Sequence, residues 1–134
     1  MGIWSPNRFE WVLTQFATAH AGLVLVNINP AYRLLELNYA LNNVGCKALI
    51  AAKFFKSSDY LEMIRTLAPE LDDSEPGRLR SVELPSLRSV IIMDAPSESG
   101  TYSFDDLRKL GGSAQQIRIF EIDKKLCPDD AINI

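Results

Sequence analysis

This 134-residue chain is poor in the residues that usually announce chemistry, with one histidine and two cysteines. Cys46 and Cys127 cannot make a disulfide framework, so a reducing compartment is expected. A single histidine, His20, and the lack of a C-x-x-C pair leave too few ligands for a zinc site. No apolar run approaches the ~20 residues that a membrane-spanning helix needs. Positive charge is not in excess: 14 Lys and Arg face 17 Asp and Glu, a net charge of -3. That balance removes the electrostatic case for a nucleic-acid partner. The opening residues have neither the basic segment nor the apolar core of a secretory leader, and none is expected in them. Also missing are G-x-G-x-x-G, G-x-x-x-x-G-K-[ST] and G-x-S-x-G, the signatures of dinucleotide binding, phosphate cradling and the serine nucleophile elbow.

What is present is the profile of one globular domain. Hydrophobic residues make up 47% and charged residues 23%, which excludes intrinsic disorder. Ser5-Pro6 is a turn signal after a short apolar start. Asn7 is placed to cap a helix, with Glu10 reaching back to it. Phe9, Val12, Leu13, Phe16 and His20 then recur at helical spacing, and Gly22 suits the position just past a helix end. A first helix is expected over residues 8–21, with this stripe turned to the core. Residues 23–28 form a continuous apolar run, the pattern of a parallel strand covered on both faces, ended by Asn29-Pro30. Leu34, Leu37, Leu41 and Val44 mark a second helix closed by Gly45. Residues 48–52 form a third strand. Ser58 or Asp59 caps a third helix that points Leu61, Ile64 and Ala68 inward and stops at Pro69.

Residues 70–85 break this rhythm with many charges, and an exposed loop is expected there. Residues 90–93 read as a buried strand ending at Asp94. Ser103 with Asp106 is placed to cap a short helix before Gly111-Gly112. Ser113 with Gln116 could cap another running to about Leu126, although Ile117 and Ile119 also alternate as in a strand. Alternating strands and helices define an α/β fold, with a parallel or mixed sheet and helices on both faces. Gly2–Trp4 reads as the second half of a strand, and the apolar residues 131–134 as entry into another. The expectation is an incomplete part of a larger domain.

Few residues invite a functional reading. Ligands of open α/β sheets bind beyond the strand carboxyl ends, where Ser5, Asn7, Asn27, Asn29, Tyr32 and Asp94 are expected. Turn and capping duties account for most of these residue types. His20, near a helix end, suits packing or C-terminal capping better than catalysis. Cys46 precedes a strand as a small hydrophobe, and Cys127, beside Pro128, is a loop residue. From the residues alone, a non-catalytic interaction module, self-associating through exposed strand edges, and a small-molecule binder using the turn at residues 5–7 both stay open.

A combination of segments goes further. Gly2-Ile3-Trp4-Ser5-Pro6-Asn7, Glu10-Trp11, Ala17-Thr18-Ala19-His20-Ala21-Gly22 and Val26-Asn27-Ile28-Asn29-Pro30-Ala31-Tyr32 stand in order. Glu36-Leu37, Tyr39, Leu41, Gly45-Cys46-Lys47-Ala48-Leu49, Phe55-Lys56-Ser57-Ser58-Asp59-Tyr60 and Cys127-Pro128-Asp129-Asp130-Ala131-Ile132-Asn133-Ile134 follow. Together they resemble the N-terminal domain of AMP-forming acyl-CoA synthetases, in the adenylate-forming superfamily, and within it fatty-acyl-CoA ligases of the acyl-CoA synthetase family member 2 type. The resemblance spans essentially the whole chain, which is then a partial AMP-binding domain over residues 1–134. It implies a parent enzyme that activates a medium- or long-chain fatty acid with ATP and Mg²⁺ through an acyl-adenylate, and then passes it to CoA. It implies a cytoplasmic or mitochondrial-matrix location. The family's phosphate loop, adenine motif, ribose-binding aspartate and catalytic lysine match no position here. No catalytic, cofactor-binding or metal-binding residue carries over, so the chain alone is expected to bind no cofactor and to be inactive.

Overall fold

The computed structural model describes residues 1–134, with the side chains of all but Arg108. Strands β1 (Gly2–Trp4), β2 (Val26–Ile28), β3 (Ala48–Ala51), β6 (Ser89–Ile92) and β7 (Thr101–Ser103) form a five-stranded sheet in the order β2-β1-β3-β6-β7. All four pairings are parallel, so the sheet is not mixed. The antiparallel pairing is confined to a separate ribbon of β4 (Phe54–Phe55) and β5 (Ser58–Asp59). Helices α1 (Phe9–His20), α2 (Leu34–Asn43), α3 (Tyr60–Leu67), α4 (Phe104–Leu110) and α5 (Ser113–Asp123) connect or follow the strands. A single 3₁₀ turn occupies Pro69–Leu71.

The sheet has a core on each face. On one, α2 and α3 bring Leu37, Leu41, Leu61 and Ile64 against Trp4, Ile28, Leu49, Val90 and Ile92. Trp4 stacks flat on Tyr60, with ring centroids 3.6 Å apart and planes 5° from parallel. On the other face Ile3, Leu25, Ile50, Ile91 and Met93 gather with Trp11, Phe104 and Leu107 from α1 and α4. The expected α/β class, with helices on both faces, holds. β7 and the β4–β5 ribbon were not expected; two- and three-residue strands leave no readable period.

The first helix departs from expectation in its orientation. Phe9, Val12, Leu13 and Phe16 point outward, and Thr14, Gln15 and Thr18 are the buried residues. Neither threonine hydroxyl is stranded: Thr14 Oγ1 donates to Glu10 O at 2.7 Å, and Thr18 Oγ1 to Thr14 O at 2.8 Å. Bonding back to the preceding turn satisfies these polar atoms within the helix. Asn7 is not the cap. Arg8 occupies that position, without a side-chain cap bond, and Glu10 is drawn to its guanidinium instead.

Other boundaries shift for local reasons. The run at 23–28 is a strand only over Val26–Ile28, and Leu23 and Val24 are exposed, because β2 lies at the sheet edge rather than inside it. Beyond β2, residues 132–134 lie parallel to it: Leu25 N donates to Ile132 O and Asn27 N to Ile134 O, both at 2.9 Å. Asp59 is the cap of α3, accepting from Glu62 N at 3.1 Å. Ser103 precedes α4 but makes no cap bond. At α5 the cap is Gly112, whose N–H donates to Gln115 Oε1 at 3.1 Å, in place of the expected Ser113–Gln116 pair. Residues 70–85 are less exposed than their charges suggest. Leu71, Leu79, Ser81 and Leu84 are buried, and the segment is pinned to the α3 face. Gly100 packs against it so closely that a Cβ there would sit 1.9 Å from Leu71 O, and its φ of +71 needs glycine.

Candidate functional site

In a doubly wound sheet the ligand crevice opens where the chain reverses its direction of travel across the strands. Here β1 lies between β2 and β3, with α1 on one face and α2 on the other, so the reversal falls at the carboxyl ends of β1 and β3. The residues beyond those ends are Ser5, Asn7 and Arg8 on one side and Lys53 on the other. Asp94 and Glu98 follow β6.

These groups pair with one another, with carboxylates in excess over cations. Arg8 pairs with both Asp94 oxygens, its Nη2 at 2.6 Å from Oδ1, and its Nε reaches Glu10 at 2.7 Å. Hydrogen bonds to Asp94 and then Glu10 hold the Arg8 guanidinium charged well above its ordinary range. The Arg8 guanidinium correspondingly holds the Asp94 and Glu10 carboxyls below theirs. Asp94 makes this fork from a left-handed backbone, φ 60. Across the edge, Lys53 Nζ lies 2.7 Å from Glu98 Oε1 and Arg65 Nη2 lies 3.1 Å from Oε2. Lys53, then Arg65, depress the Glu98 carboxyl. Arg65 also holds Asp72 at 2.9 Å. The result is a set of closed ion pairs strapping the β1–α1 turn, β3 and the β6–β7 loop together.

The other singled-out residues have structural partners. The Ser5 hydroxyl donates to Pro6 O at 2.9 Å. Asn29 Oδ1 accepts from Ala31 N at 2.9 Å, while its carbonyl accepts from Trp4 Nε1 at 3.1 Å. Asn27 lies inside β2, opposite Ile3, and not beyond a strand end. Tyr32 lines a groove between β2 and α2, with Val26, Ile28, Leu35 and Tyr39. His20 is in the last turn of α1, exposed rather than packed, with Nδ1 3.5 Å from Asp123 of α5. Cys46 is buried, Sγ donating to Ala48 O at 3.2 Å, and burial pushes its thiol pKa up. Cys127 is an exposed loop residue whose N–H bonds Asp130 at 2.8 Å. Among the described residues, no three His, Cys, Asp or Glu side chains converge as a metal site, and no helix is long and apolar enough to cross a membrane.

Two features escaped the sequence. The Arg8–Asp94 and Lys53–Glu98 pairs join residues 86 and 45 positions apart, and only the parallel pairing of β1, β3 and β6 makes them neighbours. The Trp4–Tyr60 stack has the same origin. Tyr60 donates to Pro30 O at 2.5 Å, and burial raises its phenol to about 12.

The molecule is therefore a doubly wound parallel α/β fold whose charged groups at the crevice are paired in internal salt bridges. The family follows from comparison: a model of AMP-binding enzymes matches residues 1–134, and the chain belongs to that family. It is 43% identical over 134 residues to medium-chain acyl-CoA ligase ACSF2 of Danio rerio, covering 100% of this chain and 22% of that protein. Against the Homo sapiens protein of that name identity is 42%, with the same coverage. Against the putative acyl-CoA synthetase YngI of Bacillus subtilis it is 34%, over 24% of that protein. Acetoacetyl-CoA synthetase from Streptomyces lividans superposes with a TM-score of 0.62 at 21% identity, over 80% of this chain and 16% of that one, a likeness of fold. The chain thus spans about a fifth of the length of the curated relatives it matches.

Proposed function

We propose that this chain is scaffold within a fatty-acid–CoA ligase, part of its AMP-binding N-terminal domain. The parent reaction joins a medium- or long-chain fatty acid to AMP from ATP, releases pyrophosphate, and transfers the acyl group to CoA. The carrying observation is 43% identity along the entire chain to a medium-chain acyl-CoA ligase. Adenylation needs cationic groups aimed at developing phosphate charge. The cations at the sheet's carboxyl edge do not fit that role, because Arg8 is committed to Asp94 and Glu10, and Lys53 and Arg65 to Glu98. No residue here is therefore assigned to ATP, Mg²⁺ or CoA, and the chain alone is inactive.

Fatty-acid-dependent ATP–pyrophosphate exchange tests both halves. The polypeptide at its natural length should turn over medium-chain acids, and residues 1–134 alone should not. Exchange by residues 1–134 would sink the scaffold reading. Natural-length protein inert toward every fatty acid tried would sink the ligase reading in favour of a non-catalytic interaction module. We place the protein in the cytoplasm or the mitochondrial matrix; relatives named as mitochondrial favour a mitochondrial location, and cell fractionation tests this, since recovery with the membranes would overturn both.

A further inference from the structure

Helix α1 meets the sheet with three buried polar side chains, and two of them are satisfied locally. Thr14 and Thr18 return their hydroxyls to carbonyls of their own helix. Gln15 does not. It is 9% exposed, and its Oε1 accepts from Asn133 Nδ2 at 3.3 Å, from a residue 118 positions along the chain. Leucine at this position would fill the space without burying an amide. A local rule broken at one residue, with no local compensation, points to a role beyond stability.

The partner shows what that role is. Asn133 is the middle residue of the extended segment 132–134, which lies parallel to β2 with Asn133 opposite Leu25. Leu25 N donates to Ile132 O and Asn27 N to Ile134 O at 2.9 Å, and Ile134 N to Leu25 O at 2.8 Å. Such bonds recur every second residue, so they fit a segment shifted by two residues equally well. Apolar burial does not choose the register either, since Ile132 is 46% and Ile134 71% exposed. The Gln15–Asn133 bond does choose, because it forms only with Asn133 opposite Leu25. A slip of two residues would move the segment about 7 Å along β2 and leave the buried Gln15 amide without this partner.

We propose that Gln15 is a positioning residue that pins the register of segment 132–134. Fixing a register at some cost in stability is the best-attested use of buried polar pairs. The segment runs parallel to β2, so its carboxyl end points to the edge where ligands of open α/β sheets bind. Its register therefore sets how far the chain reaches into that edge. The proposal rests on the ligase reading for the ligand. Of the reactants in fatty-acid-dependent ATP–pyrophosphate exchange, ATP is the nucleotide, the class that such edges take. Gln15 acts through Asn133 and is not itself assigned to a substrate.

Three variants of the natural-length polypeptide test this: Gln15→Leu, which keeps the bulk and removes the acceptor, Asn133→Ala, and the two combined. Hydrogen exchange at the Asn27 and Ile134 amides reads the segment, and ATP–pyrophosphate exchange reads the site. Gln15→Leu should speed exchange at both amides and raise the KM for ATP roughly three- to tenfold, the reach of one hydrogen bond. The KM for the fatty acid and the melting temperature should hold. The double variant should be no worse than Asn133→Ala alone. Unchanged amide exchange overturns the proposal, whatever the activity. So does an unchanged KM for ATP in an active ligase, a loss of kcat that merely follows a lowered melting temperature, or single-variant effects that multiply. Faster amide exchange in a natural-length protein inert toward every fatty acid refutes the ligase reading alone.

Discussion

On one side of the sheet α2 and α3 turn Leu37, Leu41, Leu61 and Ile64 to the strands, while α2 also leaves Leu35 and Tyr39 in solvent. On the other side α1, also amphipathic in sequence, turns threonines and a glutamine to the sheet and its phenylalanines away. The same helical period therefore has opposite meanings on the two faces of one small sheet. Periodicity reveals that a helix has an apolar face, but not which neighbour that face is made for.

The comparison can be broken first on the closed side. Tyr60 is fully buried, stacked on Trp4 and bonded to Pro30 O. Tyr60→Ala removes a buried aromatic and should cost about 3–5 kcal/mol in urea denaturation, enough to leave a marginal domain largely unfolded. A cost below about 1 kcal/mol, far under the range for buried aromatics, would mean that the α3 face is no better finished than the α1 face.

Alkali gives a smaller effect at the same residue. Burial raises the Tyr60 phenol from 10.0 to about 12, so the folded state holds its proton more tightly than the unfolded chain. That stabilisation is complete below about pH 10 and is lost as pH rises towards 12, a slope worth about 2–3 kcal/mol. Tyr60→Phe should flatten the slope in a pH-resolved melting series, at the cost of one hydrogen bond. An unchanged slope would place the titration elsewhere.

Smaller still is the strap between the two layers. The Arg8–Asp94 pair is half-exposed, and pairs of that kind are worth up to about 1 kcal/mol, less in salt. Asp94→Asn keeps a residue that tolerates φ 60, so the backbone is not confounded. Because Arg8 lowers the Asp94 pKa, the pair stabilises the fold at neutral pH and is lost on acidification through the carboxylate range. The variant should melt slightly lower near neutrality and lose less than the parent on acidification. An identical acid profile would assign the acid sensitivity to the other depressed carboxyls, Glu10, Glu70 and Glu98.

How far the sequence carried depended on the range of each signal. Local signals sufficed for α2, α3 and the strands at 48–51 and 89–92, where apolar residues and glycine or proline stops fall within one element. Gly22 and Gly45 do take positive φ at helix ends. Signals failed where the deciding partner was distant. Asn7 lost its capping role because Asp94, 86 positions from Arg8, drew that arginine across the edge. Residues 70–85 looked solvated because their leucines are sparse, yet each finds the α3 face. At the candidate site the turn residues were legible one by one, but their mutual pairing was not, since it exists only once β1, β3 and β6 lie side by side.

The smallest expected effect sharpens the contrast most. Phe16 is as large as Tyr60, sits in a well-formed helix, and by sequence alone is as good a core candidate. Phe16 is 64% exposed in this chain, so Phe16→Ser deletes only the minor buried part of the side chain and should change the stability of residues 1–134 by about 0.5 kcal/mol. Binding of a hydrophobic dye should fall at the same time, because the stripe loses one of its two aromatic ends. A loss of about 3 kcal/mol or more, the range of a buried aromatic, would show that α1 turns its phenylalanines to the sheet in solution, and the opposition between the two faces would disappear.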